Sequence, residues 1–93
     1  MLTVRWPDDF DDYAWEVESK GWFDGVTVEW NGTSIRPVFY DPVRLSQAIS
    51  DELAGGLFFR ESNLVVIEIV TRDHMEAAIA AFSKEDLARL IPN

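Results

Sequence analysis

Asn31 and Gly32 constrain this chain more than any other two residues. Both tolerate positive φ, and they sit between two segments that alternate apolar and polar, VTVEW before and TSIRPVFY after. That combination predicts a two-residue type I′ hairpin, whose twist matches that of the flanking strands. The register follows from the turn. Trp30 faces Thr33, Glu29 faces Ser34, Val28 faces Ile35 and Thr27 faces Arg36. Val26, Val28, Trp30 and Ile35 then share one face, and Thr27, Glu29, Ser34 and Arg36 the other. Pro37 would lie opposite Val26, where a backbone N–H should enter the ladder, so pairing is expected to stop or bulge there.

The hairpin runs directly into a helix signal. Asp41 is a good N-cap and Pro42 suits the first helical position, where a missing N–H costs nothing. Leu45, Ala48, Ile49 and Leu53 follow at helical spacing until Gly55 and Gly56 close the helix. Upstream, Leu2, Val4 and Trp6 alternate with Thr3 and Arg5, predicting a short strand ended by Pro7. Residues 8–20 carry two periodicities. Phe10, Tyr13, Ala14 and Val17 fit a helical stripe, whereas Tyr13, Trp15 and Val17 fit a strand. Carboxylates at the start and Lys20-Gly21 at the end favour the helix.

Downstream, Leu57 to Arg60 has an extended start, Ser62 and Asn63 offer a break, and Leu64 to Val70 is the most β-rich run. Val65, Ile67 and Ile69 line one side of that run, and Leu64, Val66 and Val70 the other, which predicts a central strand or one covered on both sides. Thr71 or Asp73 caps a following helix, with Asp73 and Glu76 as a capping box and Met75, Ala78, Ile79 and Phe82 on its inner face. Ser83 and Asp86 form a second box before a short last helix carrying Leu87, Leu90 and Ile91. The order β-α-β-β-α-β-α predicts a single α+β domain spanning residues 1–93. It matches a ferredoxin-like, split βαβ sheet with helices on one face and an extra C-terminal helix.

Ninety-three residues can bury one core, removing about 60 to 65% of the unfolded chain's surface from water. Hydrophobic residues make up 47% of the chain, with four Trp, six Phe and two Tyr, far from the composition of a disordered acidic segment. The absence of cysteine removes thiol nucleophiles, thiolate metal sites and disulfides. No basic segment precedes an apolar run at the N-terminus, and the apolar stretches are too short to span a bilayer, so a cytoplasmic protein with no membrane partner is expected. Eight basic residues stand against 17 acidic ones, for a net charge of −9. Phosphate-backbone binding relies on clustered cations, so nucleic acid is a poor partner.

Catalytic constellations are scarce. His74, the single imidazole, has Arg72, Asp73 and Glu76 around it and reads as an exposed first-turn residue. No Ser sits in a nucleophile elbow, and Gly55-Gly56 follow a helix instead of opening one, which suits a C-cap and not a phosphate loop. Asp8, Asp9, Asp11 and Asp12 have oxygen-ligand density but no EF-hand spacing, and a helix N-terminus is itself sufficient reason for carboxylates there. We therefore expect no catalytic residue, no metal and no cofactor.

Two surfaces remain. Asp8 through Asp24 holds seven carboxylates and one Lys, −6 of the −9, interleaved with Trp15, Trp22 and Phe23. Exposed aromatics ringed by acid suit contact with a basic protein, because rings supply buried area and charges steer encounter. The leading expectation is a small non-enzymatic interaction domain of this kind. In character it is like immunity or antitoxin-type inhibitors that mask a cationic partner, with Asp8, Asp9, Asp11, Asp12, Trp15, Trp22 and Phe23 as contact residues. The alternative is a small-ligand or divalent-metal-binding regulatory or enzymatic domain, with an anion site formed by Arg36, Tyr40 and Arg44, since Arg forks suit carboxylate and phosphate. A third expectation is a homodimer through an open sheet face carrying Leu64, Val66 and Val70.

Overall fold

The computed structural model describes residues 2–92 as six strands and four helices. In chain order these are β1 (Leu2–Arg5), α1 (Phe10–Lys20), β2 (Trp22–Phe23), β3 (Thr27–Trp30), β4 (Thr33–Ile35), β5 (Val38–Tyr40), α2 (Pro42–Gly55), β6 (Leu64–Val66), α3 (Arg72–Ala81) and α4 (Lys84–Arg89). The class is α+β. The strands do not form the single split βαβ sheet. They divide into two three-stranded sheets, β1-β3-β4 and β2-β5-β6.

Pro37 is the reason for the division. The hairpin forms in the expected register, with Val28 opposite Ile35, Glu29 opposite Ser34 and Trp30 opposite Thr33. Asn31 at φ 50° and Gly32 at φ 75° supply the positive angles of the type I′ turn. The ladder ends there: Arg36 does not pair with Thr27, which instead faces Arg5 of β1. Pro37 is fully buried and cannot donate to a ladder, so the chain bends out of the first sheet at Arg36-Pro37. It re-enters extended structure at Val38 as β5 of the second sheet, antiparallel to β2 and parallel to β6. The single strand expected over residues 33–40 is two strands in two sheets.

One core fills the space between the sheets and three of the helices. Val26, Val28 and Ile35 from the hairpin meet Phe10 and Val17 of α1, Phe23, Phe39, Val70, Met75 and Ile79 of α3, and Leu87 of α4. Residues 8–20 resolve as helix: α1 buries Phe10 and Val17 and ends at Gly21 in the left-handed conformation, φ 70°. Tyr13 departs from helical angles and kinks the helix after its first turn. Three rings pack around Phe10: Trp6 at 4.9 Å, Phe23 at 5.0 Å and Tyr13 at 5.6 Å between centroids. Much of the aromatic excess is thus core, in tilted and edge-on arrangements that suit the ring quadrupoles.

The later elements are shorter and more peripheral than the sequence suggests. β6 covers Leu64–Val66 and is an edge strand, where a longer strand, central or covered on both sides, was expected; Ile67 adds one more backbone bond, to the Tyr40 carbonyl at 2.9 Å. Its β-rich continuation turns away so that Val70 enters the core at 0% exposure. Thr71, not Asp73, caps α3, accepting from the His74 N–H. The Ser83–Asp86 capping box of α4 is complete. α2 has the expected Asp41 cap and Pro42 start, yet it buries no residue fully.

Candidate functional site

The outer face of α1 follows from the burial of its inner one. With Phe10 and Val17 facing the core, the positions one turn around, Asp11, Trp15 and Glu18, point to solvent. Trp15 is 68% exposed and has Asp11 and Asp12 one turn before it and Glu18 one turn after. Asp8 and Asp9 are likewise exposed just before the helix. Asp11 also lies 3.5 Å from the Arg72 guanidinium, which pairs with Glu76 at 2.9 Å and stacks over the Trp6 ring at 4.9 Å. The Glu76 hydrogen bond, followed by the carboxylates of Glu76 and Asp11, pushes the Arg72 guanidinium further up. Burial and then Asp9 raise the Tyr13 phenol, so the acidic field reaches the inner ring cluster.

Two of the expected contact aromatics lie elsewhere. Phe23 is 8% exposed and packs on Phe10, because β2 pairs with β5 and turns that ring inward. It belongs to the core and leaves the contact surface. Trp22 points to the other side of β2 and is half-buried, lining a groove with Ser19, Lys20, Arg44 and Gln47.

The Arg36, Tyr40 and Arg44 group is only partly assembled. Tyr40 sits opposite Trp22 in the sheet and is 7% exposed. Burial and then the Glu61 carboxylate push its phenol up, while Arg44 and Trp22 pull it down. Arg36 is at the opposite end of β5, at the corner made by Pro37, and does not join them. Its backbone carbonyl instead accepts from the Asn63 side chain at 3.3 Å. The Asp41 carboxylate is engaged as a cap, accepting from the Arg44 N–H at 2.7 Å. Gly21 packs tightly against that cap, and its carbonyl accepts from the Asp41 N–H at 2.9 Å. The end of α1 and the start of α2 are thereby fastened together beside the groove, whose volume is about 380 Å³.

Sequence reasoning missed Lys20 and Gln47 in that groove, Glu61 beside Tyr40, and Arg72 beside the acidic face. Nothing in local periodicity brings residues 61 or 72 to their partners; only the sheet crossover and the placement of α3 do. His74 is exposed in the first turn of α3, its Nδ1 2.8 Å from the Thr71 hydroxyl. Among the described residues, no three His, Asp or Glu side chains gather into a set that could hold a metal ion, and no helix is long and apolar enough to cross a membrane. No family model, curated protein or solved structure matches the chain.

Proposed function

We propose that the protein is a non-enzymatic interaction domain that binds a basic partner protein through the outer face of α1. The observation that carries this is Trp15. A tryptophan 68% exposed on a helix that buries two of its neighbours serves no packing purpose in the monomer. Carboxylates flank it on both sides along the helix, the arrangement of an aromatic anchor within a charged rim. Asp8, Asp9, Asp11, Asp12, Glu16 and Glu18 would steer a cationic surface toward it. An inhibitor that masks a cationic toxin surface fits this chemistry, and the cytoplasm is the compartment proposed for it.

Affinity capture from the native host with wild-type and Trp15→Ser baits identifies the partner. Surface plasmon resonance then separates the two roles. Trp15→Ser is expected to raise the dissociation constant at least tenfold, mostly through faster dissociation. Replacing Asp8, Asp9, Asp11 and Asp12 by Lys is expected to slow association at low salt by one to two orders of magnitude. An on-rate unchanged by the four reversals would rule the acidic face out.

A second reading rests on the Trp22 groove. Lys20 and Arg44 line it together with the indole, and among the described residues neither makes an ion pair. A small planar ligand carrying a carboxylate or phosphate fits such a groove. A thermal-shift screen against anionic metabolites tests it, since a ligand at 100 times its dissociation constant adds about 2.7 kcal/mol of stability.

A further inference from the structure

The second sheet is covered on one side only in part. Phe39 points into the core, and Val65 and Ile67 pack against it from the same side. By the two-residue period, Val38, Tyr40, Leu64 and Val66 face the other way. α2 connects β5 to β6 and contributes no residue to the main core, so it lies over that second face. It does not close it. Leu45, Ala48 and Ile49 are half-buried, while Leu64 remains 36% and Val66 47% exposed.

Lengths explain the gap. α2 has 14 residues, about 21 Å at 1.5 Å each. The three-residue strands beneath it span about 10 Å. The helix is about twice as long as the strands it connects, and the last residue of its apolar stripe, Leu53, is left 51% exposed. The chain then adds Leu57 at 95% and Phe58 at 66% before returning to β6. The molecule is correspondingly elongated. Its principal extents are 41 × 30 × 20 Å and its radius of gyration is 13.7 Å; roughly 12.3 Å is usual at this length.

We infer that this face is the interface of a homodimer, in which a second copy covers Leu53, Leu57, Phe58, Leu64 and Val66. Area and charge both favour a second copy as the occupant. The five side chains expose the equivalent of about three whole residues, roughly 600 Å² at ~200 Å² for each large side chain. Two copies meeting there bury about 1,200 Å², the lower bound of a specific interface. Residues 42–66 carry two arginines against three carboxylates, a net of −1, so two copies approach with little repulsion. The acidic window over residues 8–24, which holds −6, offers a cationic partner far more than this face does. Arg60 beside Glu61, and Asp51 beside Glu52, supply both signs for reciprocal pairing across a two-fold axis. The inference is independent of the partner proposed for α1.

Sedimentation equilibrium from micromolar to millimolar concentration tests it, together with electron–electron distances from a spin label at the exposed Ser50→Cys, a unique thiol in a cysteine-free chain. We expect a dimer that the double variant Leu57→Ser, Phe58→Ser weakens at least 30-fold, with unchanged circular dichroism because neither residue is buried. In the wild-type background the labelled dimer should give one narrow intermolecular distance, lost in the double variant. A wild-type chain that stays monomeric at millimolar concentration overturns the inference. So does a dimer that survives the double substitution but dissociates with Trp15→Ser, since that locates self-association on α1.

Discussion

Single residues hold this molecule at places where the backbone takes unusual angles. Gly21 and Gly32 have nearly the same positive φ, 70° and 75°, but different surroundings. A Cβ at Gly32 would meet open space, so Gly32→Ala should cost only the backbone penalty, about 1–2 kcal/mol by urea denaturation. A Cβ at Gly21 would land inside the Asp41 carboxylate that caps α2. Gly21→Ala should therefore cost clearly more than Gly32→Ala, and equal losses would show that the α1–α2 junction is loose. Asn63, at φ 60°, donates to the Arg36 and Ile91 carbonyls and accepts from the Ile91 N–H at 2.7 Å. It fastens the C-terminal segment, which also bridges Ile35 at Pro92, to the corner at Pro37. Asn63→Ala should cost about 1–3 kcal/mol, with amide exchange near Ile91 accelerated. A periodicity search passes over such a residue, because its partners are 27 and 28 positions away.

At the level of elements, caps and turns were the most legible part of the sequence. The hairpin register, the Asp41-Pro42 start of α2 and the Ser83–Asp86 box are all local, and all are present as expected. Asp86 accepts from the Ser83 N–H at 2.8 Å, and this bond, ahead of the Ser83 side chain, holds its carboxyl below the usual range. The sign follows from that direction. A carboxyl with a depressed folded pKa stabilises the fold above its unfolded value, and that contribution fades as pH falls through the lower folded one. Ser83→Ala keeps that backbone donor and should move the Asp86 titration, followed by NMR, only part of the way toward the ordinary aspartate value, whereas Asp86→Asn should remove this acid-sensitive contribution altogether. Tyr40 runs in the opposite direction. Its phenol is raised by burial and then by Glu61, so its contribution is full below the ordinary value near 10 and fades as pH rises through the higher folded one. Glu61→Gln should lower the spectrophotometric titration of Tyr40, and no change would separate Glu61 from the phenol.

Across the whole molecule, charge and shape set the behaviour. With a net charge of −9, −6 of it over residues 8–24, self-repulsion opposes compaction, so the melting temperature should rise between 10 mM and 500 mM sodium chloride as screening shortens to a few ångströms. Lys at Asp8, Asp9, Asp11 and Asp12 should flatten that dependence. The exposed apolar residues of α2 and β6 are what a second copy covers in the homodimer inferred above. The two surfaces lie on different elements, so a dimer would present two acidic helices outward.

Sequence alone determined whatever depends on neighbours within a few residues. The α+β class, the type I′ hairpin and its register, and the capping of α2 and α4 need only local angles, local donors and a period, whereas residues 8–20 carried both a helical and a strand period. Tertiary structure decided what depends on residues far apart. Pro37 marked a break in pairing, but only packing made that break a passage between two sheets. Leu64 to Val70 promised a strand that is central or covered on both sides, but with β2 and β6 on either side of β5 it became an edge that sends Val70 into the core. Phe23 and Trp22 are adjacent in sequence and alike in chemistry, yet pairing with β5 buried one and left the other at the rim of a groove. Trp15 stayed in solvent because Phe10 and Val17 claimed the opposite side of α1. Burial is a property of the assembled core, and composition cannot assign it to one ring over another.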